Sequence, residues 1–260
     1  MEVIVLPSAS HVGELAADII AKLVRDKPTA VLGLATGSSP LGIYAALATL
    51  VATGELDLSA TAAFALDEYV GIAADHPQSY LSVIRDEVVE PLGMDPAKVR
   101  VPDGRADDLV AACARYEDGI RAAGGIDIQI LGVGTNGHIG FNEPTSSFAS
   151  RTRVKTLAQK TIDDNARFFD SADEVPIHCL TQGLGTIMDA RRVILVAQGS
   201  GKAAAIAAIV EGPVSSMWPG SILQHHPHAT IIVDEAAASE LTLVDYYKHT
   251  YDNKKVVATT

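Results

Sequence analysis

Ile126-Asp-Ile-Gln-Ile-Leu-Gly-Val-Gly-Thr-Asn-Gly-His-Ile-Gly-Phe-Asn-Glu-Pro144 starts as an apolar run and breaks abruptly into a loop. Ile126, Ile128, Ile130 and Leu131 have the β-branched or bulky apolar character of a buried strand. Four glycines, Gly132, Gly134, Gly137 and Gly140, then fall within nine residues. Glycine permits positive φ and close approach of a ligand to the backbone. Asn136, His138 and Glu143 lie among or just after them. A strand that ends in a glycine-rich loop holding an imidazole and a carboxylate marks a candidate active site.

Gly132-Val-Gly-Thr-Asn-Gly137 also fits the dinucleotide pattern G-x-G-x-x-G. That pattern needs its third glycine to open a helix, with an acid at the end of the next strand about 20 residues on. Here Pro144, Ser146, Ser147 and Ser150 follow, and the next strand-like run, residues 153–156, is basic. The reading is therefore not a nicotinamide site.

Outward from this stretch, strands alternate with helices. Residues 3–6, 30–35, 62–66, 193–197 and 230–233 read as strands. Helical spacing runs through Leu15, Ile19, Ile20 and Leu23, and from Pro40, as first helical residue, to about Ala52. Residues 80–89 and 107–123 read as helices closed by glycine or proline. Residues 177–190 keep a helical period despite their glycines, an alanine-rich helix reaches Val210, and the polar tail reads as helical. This alternation predicts an α/β fold with a mainly parallel, Rossmann-like sheet and helices on both faces. No repeat, linker or domain boundary breaks the chain, so 1–260 reads as a single domain. In such sheets ligands bind beyond the carboxyl ends of the strands. Residues 36–39, Asp67 with Glu68, the glycine loop and residues 199–202 all fall at strand ends.

The chain has 260 residues and a formal charge of −12, with 48% hydrophobic residues. A sizeable core is expected, and a nucleic-acid or membrane-surface partner is not. Cys113 and Cys179, the only cysteines, read as reduced thiols of a cytoplasmic protein. The N-terminus lacks a basic signal region, and no apolar run has the length of a membrane span. His225, His226 and His228 resemble a metal cluster, but Pro227 and the following strand favour a loop; no metal is expected.

An acidic protein that holds an anion must do so locally. Thr36-Gly-Ser-Ser39 offers hydroxyls and amides before a helix, where anions are favoured. Gly199-Ser-Gly-Lys202 offers a second helix start with a cation. It is not a P-loop, because the first glycine would fall on Val196 and Ala203 replaces Ser or Thr. Together the two turns suggest a phosphate site.

The glycine loop closely resembles the signature of the glucosamine-6-phosphate deaminase family. So do Leu34-Ala-Thr-Gly-Ser-Ser-Pro40, Leu66-Asp-Glu-Tyr-Val-Gly71, Ser150-Arg-Thr-Arg-Val-Lys-Thr156 and Val210-Glu-Gly-Pro-Val-Ser-Ser-Met-Trp218. The blocks keep one order and cover nearly the whole chain. The resemblance implies a three-layer α/β/α fold, a mobile lid around 157–179, and isomerising deamination of a sugar phosphate without a cofactor, classed as a hydrolase reaction. By matched position, Asp67 is the enolisation base, His138 the ring-opening base, and Asn136 and Glu143 its helpers. Thr36, Gly37, Ser38, Ser39, Gly137, Arg167 and Lys202 become substrate and phosphate contacts. Ser146, Arg153 and Lys155 match an allosteric anion site found in some relatives. Some relatives carry aspartate where Asn136 stands; the amide can orient the imidazole but lends it no charge. Two rivals are weighed: a 6-phosphogluconolactonase-like hydrolase, which has no use for a carbon-proton base, and a sugar-phosphate-sensing module, which needs a DNA-binding segment. The partner expected is a small sugar phosphate, and a homo-oligomer is compatible with the sequence.

Overall fold

A computed structural model describes residues 1–169 and 171–257. Its main sheet has seven strands: β1 (Glu2–Leu6), β2 (Val31–Leu34), β3 (Ala62–Ala65), β5 (Val99–Arg100), β6 (Ile128–Leu131), β9 (Arg192–Ala197) and β10 (Ala229–Asp234). The order is β1-β10-β9-β6-β2-β3-β5, with every pairing parallel. The central strands β2 and β6 are buried at every residue. That matches the continuous apolar runs of a sheet covered on both sides.

Chain order explains where the site forms. From β2 the chain builds outward through β3 to β5; it then returns to β6, beside β2, and builds the other way through β9 and β10. The two halves diverge at the β2–β6 pair, and the crevice beyond their carboxyl ends is the switch point where α/β folds bind ligands.

The flanking helices are α1 (Ala9–Asp26), α2 (Leu41–Ala52), α4 (Leu109–Ala122), α7 (Ala203–Val210) and α8 (Val244–Val257). α1 and α2 touch at Gly13 and Gly42. A Cβ at Gly13 would lie 2.6 Å from the Gly42 carbonyl carbon, so any larger residue would push the helices apart. This contact fixes α2, and with it the turn that precedes it. Pro40 is the residue just before α2 rather than its first member.

A second sheet went unread in the sequence. β4 (Asp67–Tyr69), β8 (His178–Thr181) and β7 (Arg153–Thr156) pair antiparallel in the order β4-β8-β7. The helix expected over 177–190 is therefore wrong: its first part is strand β8, followed by the short helix α6 (Leu184–Met188). Its apolar residues serve two sheets rather than one helix face. Residues 80–89 are also not one helix. α3 (Tyr80–Ile84) gives way to a π-helical turn over Arg85–Val89.

Candidate active site

The cleft at the switch point has a volume of about 590 Å³. Its walls come from the turn after β2, the strand β4, the glycine loop after β6, the segment around α5 (Gln159–Asn165), and the turn after β9.

Asp67 stands where the chain leaves β3 for the second sheet. The Leu66 amide still donates to Leu34 of the main sheet, and the Gln182 amide donates to the Leu66 carbonyl. This double anchorage places Asp67 at the seam of the two sheets, buried at 6% exposure yet lining the cleft. Burial, and next the charge of Glu68, push its carboxyl up to about 8. Glu68 has another task. Its carboxylate accepts the amides of Tyr69 and Tyr80 at 2.8 and 2.9 Å through Oε1, and that of Leu81 at 2.9 Å through Oε2. It ties β4 to α3 and does not line the cleft.

The raised Asp67 carboxyl has a stability consequence. Its folded value exceeds the unfolded value of 3.8, so the folded protein holds the extra proton between the two. Stability from this group is present below about pH 4 and is lost as pH rises to about 8. Asp67→Asn removes that loss. The variant is expected to gain stability over the wild type as pH rises from about 4 to about 8, by a few kcal/mol in all at about 1.4 kcal/mol per pKa unit. Urea unfolding across that range checks it; a pH-independent difference between the two proteins would refute the assignment.

Across the cleft, the glycine loop presents His138. A Cβ on Gly134 would lie 2.3 Å from the His138 ring, so only glycine leaves room for the imidazole. His138 Nδ1 is 3.6 Å from Glu143 Oε2, too long for a hydrogen bond but close enough for the carboxylate to face the imidazole. Burial would raise the Glu143 carboxyl, but His138, the Thr161 hydroxyl and the Asn136 amide outweigh it and hold it near about 2.

Asn136 does not meet the imidazole as expected. Its Nδ2 donates to Glu143 Oε2 at 2.8 Å, and its Oδ1 accepts from the backbone amide of His138 at 3.2 Å. It orients the carboxylate and the loop instead. Gly137 also turns away from the cleft: a Cβ there would lie 2.6 Å from the Trp218 ring, and its carbonyl accepts from Gly220. It packs against the 218–220 turn and does not line the cleft.

The cleft wall also carries hydroxyls and cations. Thr36, Gly37, Ser38 and Ser39 line it, as do Arg167 and Lys202. Lys202 Nζ donates to the Val133 carbonyl at 2.8 Å. Burial lowers its pKa, opposed by Asp164 and reinforced by Arg167 and Lys160. Arg167 and Lys202 both line the cleft, and the Lys160–Asp164 pair, 3.8 Å apart, is close enough to act on Lys202. Arg167 and Lys202 suit a phosphomonoester, which takes a guanidinium fork and an ammonium together.

Ser146, Arg153 and Lys155 lie outside the cleft. Ser146 is buried, its hydroxyl unpartnered among the described residues. Arg153 Nη1 donates to Asn142 Oδ1 at 2.9 Å, and Arg153 and Lys155 share one face of β7. Among the described residues no cluster of histidine, cysteine and acid could hold a metal; His226 Nε2 instead bonds the Ala190 carbonyl at 2.8 Å.

Sequence reasoning missed several residues. Tyr69, Tyr80, Asn165, Phe169 and Gln198 line the cleft. Asn165 donates to the Tyr69 hydroxyl at 2.9 Å, and the Phe169 ring meets Tyr69 at 5.9 Å. These contacts dock residues 158–169 onto β4. Tyr69 sat in a quoted motif; the others carried no local signal.

Comparison with known proteins agrees with this geometry. A family model described as glucosamine-6-phosphate isomerases/6-phosphogluconolactonase matches residues 7–232. The glucosamine-6-phosphate deaminase of Pseudarthrobacter chlorophenolicus is 61% identical, over 98% of both chains. That of Streptomyces coelicolor is 56% identical, again over 98% of both. A solved monomeric glucosamine-6-phosphate deaminase is 42% identical and superposes with a TM-score of 0.90, over 92% of this chain and 100% of that one. The 6-phosphogluconolactonase of Trypanosoma cruzi shares the fold at 21% identity and a TM-score of 0.74, over 93% and 97%. The relatives' names speak of deaminase and isomerase, which corrects the hydrolase label expected from the sequence. A cleft at the β2–β6 switch point and a family match over most of the chain lead to one statement: this chain belongs to the glucosamine-6-phosphate isomerase/6-phosphogluconolactonase family.

Proposed function

We propose that the chain converts D-glucosamine 6-phosphate and water into D-fructose 6-phosphate and ammonia. The observation that carries this is the pairing of two independent proton-handling groups in one cleft, Asp67 on β4 and His138, backed by Glu143, on the glycine loop, together with Arg167 and Lys202. A lactone hydrolase needs no base for a carbon-bound proton. An aldose-to-ketose conversion needs one.

The sugar's phosphate is held by Arg167, Lys202 and the turn of residues 36–39, with Ser38 and Ser39 as hydroxyl donors. His138 takes the proton of the anomeric hydroxyl as the ring opens, and the ring oxygen leaves as a hydroxyl. Glu143, itself oriented by Asn136, faces the imidazole and supports its charge. Asp67 then takes the C2 proton, and a proton arrives at C1. The resulting C2 imine adds water and releases nitrogen as ammonia. Burial and the charge of Glu68 push the Asp67 carboxyl up to about 8, so its carboxylate, the form that takes the C2 proton, is more basic than an ordinary one. A pKa near the working pH suits a group that must both take and return a proton. No redox change occurs, so the route calls on no redox cofactor.

Residues 157–179 are assigned as the lid, except His178 and Cys179, which pair within the second sheet, and Asp170, which lies outside the described residues. Their docking through Asn165 and Phe169 on Tyr69 is the closed position. Among the described residues no helix is long and apolar enough to cross a membrane, and both cysteines are buried free thiols, which supports a cytoplasmic setting. Ser146, Arg153 and Lys155 remain candidates for an anion site separate from the cleft.

Ammonia release from glucosamine 6-phosphate by the purified protein, with no added metal or nucleotide, tests the reading. Hydrolysis of 6-phosphogluconolactone without ammonia release would replace it with the lactonase alternative.

Asn136→Asp is expected to move the acidic limb of the kcat/KM profile to higher pH. The change sets a second carboxylate against Glu143, replacing a donor 2.8 Å away, and the pair favours a protonated imidazole beside it. A base must be deprotonated in the free enzyme to act. An unchanged profile in a folded variant would separate Asn136 from the ring-opening pair.

A further inference from the structure

Glu143 is held from two directions. Its Oε2 faces the glycine loop, taking the Asn136 amide at 2.8 Å and standing 3.6 Å from His138 Nδ1. Its Oε1 faces the segment that carries Arg167: the Thr161 hydroxyl donates to it at 2.5 Å and the Ala158 amide at 3.3 Å. Both Glu143 and Thr161 are buried, so these bonds are little diluted by water. Arg167 lies six residues beyond Thr161 in the same segment. One short stretch of chain therefore carries both a cation of the phosphate end and a donor to the ring-opening carboxylate.

We propose that Thr161 is a positioning residue for ring opening: docking of residues 158–169 brings its hydroxyl onto Glu143 Oε1 and thereby sets the other carboxylate oxygen toward His138. This rests on the deaminase reading above. A sugar phosphate that draws Arg167 inward thus also completes the ring-opening pair, and an undocked segment leaves Glu143 free to rotate off it. The titratable groups around Glu143 are His138 on its own loop and Cys179 on β8. On α5 the charged residues are Lys160, Asp163 and Asp164, of which Asp164 lines the cleft; Asp67 lines it from β4.

The test uses Thr161→Val, which keeps the shape and removes the donor, and Thr161→Ser, which keeps the donor. In ammonia-release assays across pH, Thr161→Val should lower kcat roughly 10-fold or more, the scale of a lost hydrogen bond to a charged group, with KM changed far less. Its acidic limb should move to lower pH, because a Glu143 free to turn off the pair supports a proton on His138 less. Thr161→Ser should restore both. Wild-type kcat and profile in Thr161→Val would overturn the proposal, as would equal loss in both variants. Amide exchange of residues 158–165 in the ligand-free proteins reads the same bond without any substrate: it should quicken in Thr161→Val and not in Thr161→Ser. Absence of ammonia release by the wild type would sink the deaminase reading, while the exchange comparison would still decide whether Thr161 docks on Glu143. Equal exchange in all three proteins would overturn that docking.

Discussion

Asp67→Asn is expected to lower turnover by roughly 10²–10⁴-fold, the usual scale for losing a positioned acid–base group. Asparagine keeps nearly the same volume, and the variant should be more stable rather than less at neutral pH, since it lacks a carboxyl that burial raises to about 8 in the fold and that ionises freely once unfolded. Lost activity thus cannot be charged to lost fold. Binding of the sugar phosphate should survive, because Arg167, Lys202 and the hydroxyl turn are untouched. In deuterated water the wild type should carry solvent deuterium into C1 of the product or C2 of the substrate, and Asp67→Asn should do neither at a comparable rate. His138→Gln should fail differently, being poor on the closed ring and partly rescued on substrate that has opened spontaneously. Near-normal C2 exchange in Asp67→Asn would move the base elsewhere. Glu68 is a weak substitute, because three backbone amides already hold its carboxylate.

The second large effect concerns the phosphate end. Lys202→Ala should raise KM roughly 30-fold or more with a smaller change in kcat, since truncating one partner of a desolvated charge contact costs about 2–5 kcal/mol. Lys202 is itself disfavoured as a cation by burial and by Arg167; a dianionic phosphate relieves that conflict, which makes the site discriminating. Unphosphorylated glucosamine should accordingly be a very poor substrate for the wild type. It leaves Arg167 and Lys202 uncompensated and gives residues 158–169 nothing to close upon. Similar kcat/KM values for glucosamine and its 6-phosphate would refute the assignment of Arg167 and Lys202 to the phosphate.

These expectations divide into those the sequence already contained and those it could not. The run from Ile126 to Leu131 and the glycines after it determine a buried strand that ends in a loop, because β-branched apolar residues and glycine each restrict the backbone locally. The alternation of such runs with helical periods determines a mainly parallel sheet, and strand-end motifs determine that Asp67, His138 and the two anion turns lie on one edge of it. The motif resemblance supplied the chemical roles. What tertiary structure alone decides is which of these ends are neighbours. The order β6-β2 at the centre follows from pairings between residues about a hundred apart, on which local periodicity is silent. The second sheet was misread for a related reason: residues 177–190 satisfy a helical count, but β4 and β7 were there to pair with their first part, and pairing across distance overrides local preference. By spacing alone Asp67 reads as a turn aspartate, and the motif around it gives it a role; only the seam between two sheets buries it and raises its carboxyl. Asn136 is two residues from His138, yet its side chain reaches Glu143. Thr161 carries no motif, and its place against that carboxylate exists only because the segment that bears it folds back over the cleft.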